Sequence, residues 1–406
     1  MYTFYVIYAP DLSVFHPLLK PSYIIFIFAV ANIVLLNREL FYVYQKMRIN
    51  IFVFLWTVCS VVLLIRNAMS ALNPDDWLSN FLFYINIINY LSIIIWHQKL
   101  YANKNFILYL IDIGLVQAVI SLLMIVIRPL KQIANLLYSQ GETLPARLQN
   151  ITTNRIYGIG SNYTVTLPLV QALLAVLALH LAFKHKNIRL LLFSMILVLS
   201  SVLNNRTGIM LYLLIFALYI LKYMIGALTK EKTFIISIIF FLTLSVVIFI
   251  VTYDFDGSRF EWIASAFNQV ISFVAGGEKT GNMRQLADNQ LFFPEGYDYI
   301  FGIGKRVFSG LTDLKYYGRN SDIGFVNDFF KGGLVYVLLI YSSTVIYIYK
   351  NISDNFLSMN LLFYLFLCNY KAEVINGSAV MMIILSVALY SRYITKPGNK
   401  MMTEHI

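Results

Sequence analysis

Long apolar runs, repeated along most of the chain and divided by short loops, constrain this sequence more than any other feature. A helix needs about 20 mostly apolar residues to cross the hydrocarbon core of a bilayer. Runs of that kind lie at roughly 20–36, 50–66, 80–97, 106–127, 163–183, 189–204, 207–228, 233–252, 332–349, 356–370 and 378–394. They predict an all-α polytopic membrane protein of about 11–12 transmembrane helices. The twelfth is a degraded span or interfacial segment in Met1 to Pro17, which is apolar and aromatic but broken by Pro10, Asp11 and Pro17. No basic region precedes that stretch, so no cleaved signal peptide is expected there. Composition supports the same reading. Of 406 residues 59% are hydrophobic and only 13% charged, against about 25% charged in a soluble domain. So little charge does not cover a soluble globule of this length, which excludes a cytosolic enzyme, a secreted domain and a disordered chain.

The net charge of +11 is a topology signal. One set of loops holds Arg38, Lys46 and Arg48; Lys99 and Lys104; Lys184, Lys186 and Arg189; Lys230 and Lys232; Lys350; and Arg392, Lys396 and Lys400. The alternate short loops hold almost none: Arg206 alone in 204–207 and Lys371 alone in 371–377. Basic residues of short loops stay cytoplasmic, which places the first set inside. No basic stripe with interleaved aromatics appears, so no nucleic-acid partner is expected. Cys59 and Cys368 lie in apolar runs and the five histidines are scattered, so neither a disulfide framework nor a metal site is expected.

Three regions follow. Residues 1–252 form an N-terminal transmembrane bundle with an outer loop at 128–162. Residues 253–331 form a large extracytoplasmic loop, and 332–406 hold the C-terminal transmembrane helices and a cytoplasmic tail. Loops beyond about 12–15 residues are usually functional or disordered. The second long loop is rich in aromatic residues and carries half of the acids, so the polar chemistry concentrates on the outer face. No internal repeat with matching broken helices marks an alternating-access transporter. Asp112, near or within a span, keeps a proton-coupled transporter or flippase among the alternatives.

Within this layout a few residues carry chemistry. Arg206 stands in Leu203-Asn204-Asn205-Arg206-Thr207-Gly208, between two apolar runs with almost no loop. A guanidinium near lipid is costly unless paired, and a phosphate or diphosphate suits its planar fork. The ordinary alternative is an interfacial arginine snorkelling to headgroups. Arg155 opens Arg155-Ile156-Tyr157-Gly158, followed by Ser161, Asn162 and Thr164, neutral groups suited to sugar hydroxyls or to an unremarkable loop and helix cap. Arg284 lies in the long loop, ahead of a stretch that reads as helical to about Phe292. Gly302-Ile303-Gly304-Lys305-Arg306 lacks Walker spacing and implies no nucleotide site; Lys305 and Arg306 are candidate binding residues or a solvated pair. Asp322, in Ser321-Asp322-Ile323-Gly324-Phe325 before Gly332-Gly333, is a candidate general base or an N-cap.

Taken together, Arg155 to Gly158, the tight Arg206-Thr207-Gly208 turn, Arg284, Phe301-Gly302-Ile303-Gly304, Ser321 to Phe325 and Gly332-Gly333 resemble the bacterial O-antigen polymerase family (Wzy-like), more distantly the O-antigen ligases. The motifs cover about residues 150–345, and the topology covers the whole chain. A histidine stands near the Ser-Asp position in the ligases and none does here, which favours polymerase over ligase. The resemblance implies a GT-C-like integral-membrane glycosyltransferase of the bacterial inner membrane, with its active site on the periplasmic side. Such an enzyme joins undecaprenyl-diphosphate-linked repeat units, donor and acceptor, into O-antigen or capsule-type polysaccharide. It needs no cofactor or metal, works in membrane lipid, and has a chain-length regulator protein as a further partner. Arg155, Arg206, Arg284, Lys305 and Arg306 would bind substrate, arginines steadying the charge of the leaving diphosphate, and Asp322 would take the proton of the acceptor hydroxyl.

Overall fold

The structure is a computed structural model that describes residues 1–46, 49–69, 75–102, 104–136, 156, 158–160, 166–204, 206–225, 290–307, 320–375 and 377–395. Among these the regular structure is helical and no strand occurs. The chain divides into two compact units, Met1–Leu110 with Asn289–Ile406, and Ile111–Asp288.

In the first unit α1 (Tyr2–Tyr8) precedes a 3-10 turn (Pro17–Leu19), α2 (Pro21–Leu35), α3 (Asn37–Lys46), α4 (Ile49–Met69) and α5 (Asp75–Tyr101). The predicted spans at 20–36, 50–66 and 80–97 therefore fall on helices. α5 packs against α2 and carries polar glue. Tyr2 donates to Asn89 Oδ1 at 3.0 Å, Asn32 donates to the Tyr2 hydroxyl at 2.8 Å, and Trp96 donates to Asn32 Oδ1 at 3.0 Å. Side chains of this kind hold helices together where lipid supplies no hydrophobic drive between them. Trp56 of α4 stacks on Phe83 of α5 at 3.9 Å. α2 and α3 are bent by 91° at Leu36. The polar α3 runs off at that bend, and its Glu39 pairs with Lys99 of α5 at 2.5 Å.

The second unit holds most of α6 (Phe106–Val126), then α7 (Arg128–Leu136), α8 (Thr166–His185), α9 (Ile188–Val202) and α10 (Arg206–Ile225). α7 lies inside the stretch read from sequence as an outer loop at 128–162. α8 is buried on all sides from Leu167 to Phe183, as befits a helix apolar all round, with α9 and α10 packed on it. Its polar side chains have partners: His180 Nδ1 meets the Tyr219 hydroxyl at 2.9 Å and Gln171 donates to the Gly114 carbonyl.

The chain returns to the first unit with α11 (Tyr297–Phe301), α12 (Gly324–Asn351), α13 (Asn355–Lys371) and α14 (Ala379–Thr395). α12 begins eight residues before the predicted span at 332–349, because Asn327, Asp328 and Lys331 interrupt the apolar run in its first turns. By length and apolarity, Phe106–Val126, Thr166–His185 and Gly324–Asn351 each suffice to cross a membrane, and the bent pair α2 and α3 makes a fourth if taken as one span. Shorter apolar helices include Phe52–Leu63, Ile188–Val202, Thr207–Lys222 and Ala379–Arg392. Large apolar side chains stand exposed on α2, α4 and α6, among them Ile27, Val34, Phe54 and Val126, which suits a lipid-facing surface. The run at 233–252 lies outside the described residues.

Candidate functional site

Two sets of the sequence motifs are drawn together, one in each unit. In the second unit, Ile156 donates its backbone N–H to the Leu203 carbonyl at 3.1 Å, which sets Ile156 against the turn ahead of Arg206. Arg206 is the first residue of α10; its side chain, and all of Arg155, lie outside the described residues. Gly158 has φ 68°, and an added Cβ would lie 2.5 Å from both Gln117 Nε2 and Ser121 Oγ. Gln117 of α6 then clamps Ile159 twice, accepting from its N–H at 3.2 Å and donating to its carbonyl at 3.0 Å. At Gly208 a Cβ would meet Ser201 Oγ, whose hydroxyl instead donates to the Pro168 carbonyl at 2.8 Å. The glycines thus let α10 and the loop close on their neighbours. Asn204, wholly buried in this turn, finds no hydrogen-bond partner for either amide atom among the described residues.

In the first unit the site is built around a break in α12. Gly333 has φ 66° and ψ −166°, which ends one helical segment and starts another. A break frees backbone carbonyls that need donors. The Phe301-Gly302-Ile303-Gly304 stretch supplies them: Ile303 N–H donates to the Phe330 carbonyl at 2.7 Å, and Gly304 N–H to the Lys331 carbonyl at 3.0 Å. The approach is so close that a Cβ on Gly302 would lie 2.5 Å from Lys331 O, and one on Gly333 would lie 2.3 Å from Ile300 O. The Gly302-Ile303-Gly304 stretch, which lacks Walker spacing in sequence, is therefore a cap on the helix break.

This cap sets down a cluster of charged and polar side chains. Lys331, buried in α12, forms an ion pair with Glu373 Oε1, and Arg306 Nη1 lies 3.4 Å from Glu373 Oε2. The side chains of Lys331, Glu373 and Arg306 are 2%, 13% and 35% exposed, so the cluster runs from the interior to an accessible mouth. Lys305 and Arg306 are thus not simply a solvated pair: Arg306 faces a carboxylate that follows α13. One turn ahead of Lys331, buried Asp328 accepts from the Tyr341 hydroxyl at 2.6 Å and from Asn369 Nδ2 at 3.1 Å. Asn369 Oδ1 accepts from the N–H groups of Val374 and Ile375, fixing the loop that carries Glu373. Asn327 ties the entry together, accepting from Val307 N–H at 2.9 Å and donating to the Ser321 carbonyl at 3.0 Å.

Asp322 is half-buried just before α12. The capping role open to it and to Ser321 is not taken up, since the N-cap position is Ile323 and no side chain caps it. Ser321 Oγ instead accepts from Ile323 N–H and donates to the Gln290 carbonyl. Arg284 lies outside the described residues. Sequence reading singled out Lys305, Arg306 and Asp322 but not Asp328, Lys331 or the partnership with Glu373. The spacing of Asp328, Lys331 and Tyr341 about the Gly332-Gly333 pair was the available signal. Among the described residues no three His, Cys, Asp or Glu side chains gather as a metal site. Comparison with protein-family models, curated proteins and solved structures gives no match.

Proposed function

We propose that this protein is a polymerase that joins undecaprenyl-diphosphate-linked oligosaccharide units into a surface polysaccharide at the outer face of the inner membrane. The observation that carries the reading is the cationic mouth built on the broken helix α12, where the Phe301–Gly304 stretch delivers Arg306 beside Lys331 and Glu373. The chemistry needs fixed positive charge where the diphosphate leaves and a carboxylate near the acceptor hydroxyl. Arg306 and Lys305 would serve the first need. Asp322, on the segment that Asn327 ties to the Arg306 loop, would serve the second. Arg206, at the head of α10 after the turn that Ile156 meets, would hold a further phosphate or sugar group.

Deletion of the gene in its host, followed by gel analysis of the surface polysaccharide, tests the reading. The expected result is a ladder collapsed to a single repeat unit, restored by wild type and not by Arg206→Ala. A full-length ladder from inserted Arg206→Ala protein overturns the arginine's role. Loss of attached glycan with lipid-linked polymer accumulating replaces polymerase by ligase, and an unchanged ladder on deletion overturns both. One observation favours transport as the second reading. Buried Asp328 and Lys331 sit in a span-length helix broken at Gly333, a placement also used by proton- or ion-coupled carriers.

A further inference from the structure

We infer that Arg306 is an anion-binding arginine held in a resting position by Glu373, and that a phosphate or diphosphate group draws it off that carboxylate. The inference rests on the reading above for the identity of the anion, and on geometry for the device. Glu373 bridges two cations of unlike character. Its Oε1 is in close contact with Lys331, which is 2% exposed and fixed on α12. Its Oε2 is 3.4 Å from Arg306, which is 35% exposed and lies on the loop between Gly304 and Val307.

The two contacts therefore differ in strength and in what breaking them costs. Separating Glu373 from Lys331 would take a closely paired carboxylate from a buried ammonium, which is unfavourable even with the Coulombic attraction of nearby Asp328. Moving Arg306 away leaves Glu373 still neutralised by Lys331 and exposes a guanidinium that is already at the mouth. The long Arg306 contact is the one a ligand displaces. A phosphoryl group carries more charge than a carboxylate, about −1.5 to −2 for a monoester at neutral pH, and offers the paired oxygens that fit a guanidinium fork. The backbone around the pair is fixed. Asn327 holds Val307, and Asn369 holds Val374 and Ile375, so the change is confined to the side chains. Glu373 and Lys331 are positioning residues in this arrangement, and Arg306 is the group that touches the ligand. The carboxylate acts as a built-in competitor that sets how much anion is needed for occupancy.

The test is calorimetric titration of the purified full-length chain with inorganic diphosphate in neutral detergent. Wild type binds weakly. Glu373→Asp keeps the charge beside Lys331 but shortens the reach toward Arg306, and binds several-fold tighter. Lys331→Met with Glu373→Gln removes the buried pair together and binds about tenfold tighter or more, as expected when a competing contact worth about 1.4 kcal/mol is lost. A purely structural role predicts weaker binding in both variants, so the sign of the change separates the two. Adding Arg306→Gln abolishes the gain. No gain in either variant, or a gain that survives Arg306→Gln, overturns the inference. If the paired change does not fold, Glu373→Asp alone decides.

Repeating the titration in phosphatidylglycerol and phosphatidylcholine nanodiscs identifies the source of the anion. A gain lost only in phosphatidylglycerol marks a lipid headgroup as the occupant, and a gain kept in both marks a free or substrate diphosphate; either upholds the resting arginine. An unchanged polysaccharide ladder together with the expected binding pattern removes the polymerase reading and leaves the device standing. A collapsed ladder with no gain in binding removes the device alone.

Discussion

Gly333 has the left-handed φ of 66° in the middle of a 28-residue helix, with the Ile300 carbonyl where a Cβ would stand. Both the backbone strain and the contact oppose any side chain, and neither neighbour is a flexible side-chain end. Gly333→Ala is expected to cost roughly 2–3 kcal/mol, read as a lower Tm in detergent. An unchanged Tm would mean that the break is not enforced at this residue. Between α5 and α3, Lys99 donates to Glu39 at 2.5 Å, and that hydrogen bond, ahead of the Coulomb attraction, holds the Glu39 carboxyl below its ordinary value of 4.5. A carboxyl with a depressed folded value stabilises fully above its unfolded value and less as pH falls through the folded one. The Glu39 contribution is therefore present above pH 4.5 and lost progressively below it. Both side chains are about a third exposed, so the pair contributes under about 1 kcal/mol and fades with salt. Comparing Glu39→Gln with wild type at pH 7 and at pH 3 checks this: the difference in Tm shrinks at the lower pH.

At the scale of elements, α12 works as two segments fastened across their break. Asp328 lies before Gly333 and Tyr341 after it, and the 2.6 Å hydrogen bond between them spans the discontinuity. Asn369 of α13 joins the same pair, donating to Asp328 at 3.1 Å. Tyr341→Phe removes that fastening while keeping the ring that packs on Phe325 and Phe366. The expected cost is about 1–2 kcal/mol, because a buried acceptor loses one of its donors. Hydrogen exchange in 324–332 should rise with it; protection equal to wild type would place the fastening elsewhere. The broken helix was only half legible in the sequence. The Gly332-Gly333 pair announces a weak point in a helix, and Phe301-Gly302-Ile303-Gly304 announces close backbone approach. That the second caps the first is a contact about thirty residues away in sequence, set by packing alone.

For the whole molecule, orientation is the property that the basic-loop pattern predicts and that labelling checks. Asn320 and Lys350 are exposed and lie at opposite ends of α12. The segment after the break, residues 334–351, is 18 residues long (351 − 333) and spans about 27 Å, close to the thickness of the hydrocarbon core. The native thiols at Cys59 and Cys368 are buried, so the background in a labelling experiment is low. With both replaced by Ser, a membrane-impermeant maleimide added outside should label Asn320→Cys, and Lys350→Cys should react only once the inner face is opened. The reverse pattern would invert the topology read from the basic loops.

Sequence by itself determined the helical class, because long apolar runs with little charge have few other ways to satisfy their backbone, and the described apolar runs fall on helices, though α12 starts eight residues before its run. It determined the weak points too, since glycine is the residue that tolerates positive φ. Only the tertiary structure decided which of these local features meet. Ile156 against Leu203, Gly304 against Lys331, and Arg306 against Glu373 are pairings over long stretches of chain. Local preference carries no information about such pairings, because they are chosen by which buried polar groups find partners when the helices pack. Glu373 shows the difference most plainly. In sequence it is a lone acid after an apolar run, and in the fold it is the carboxylate that two cations share.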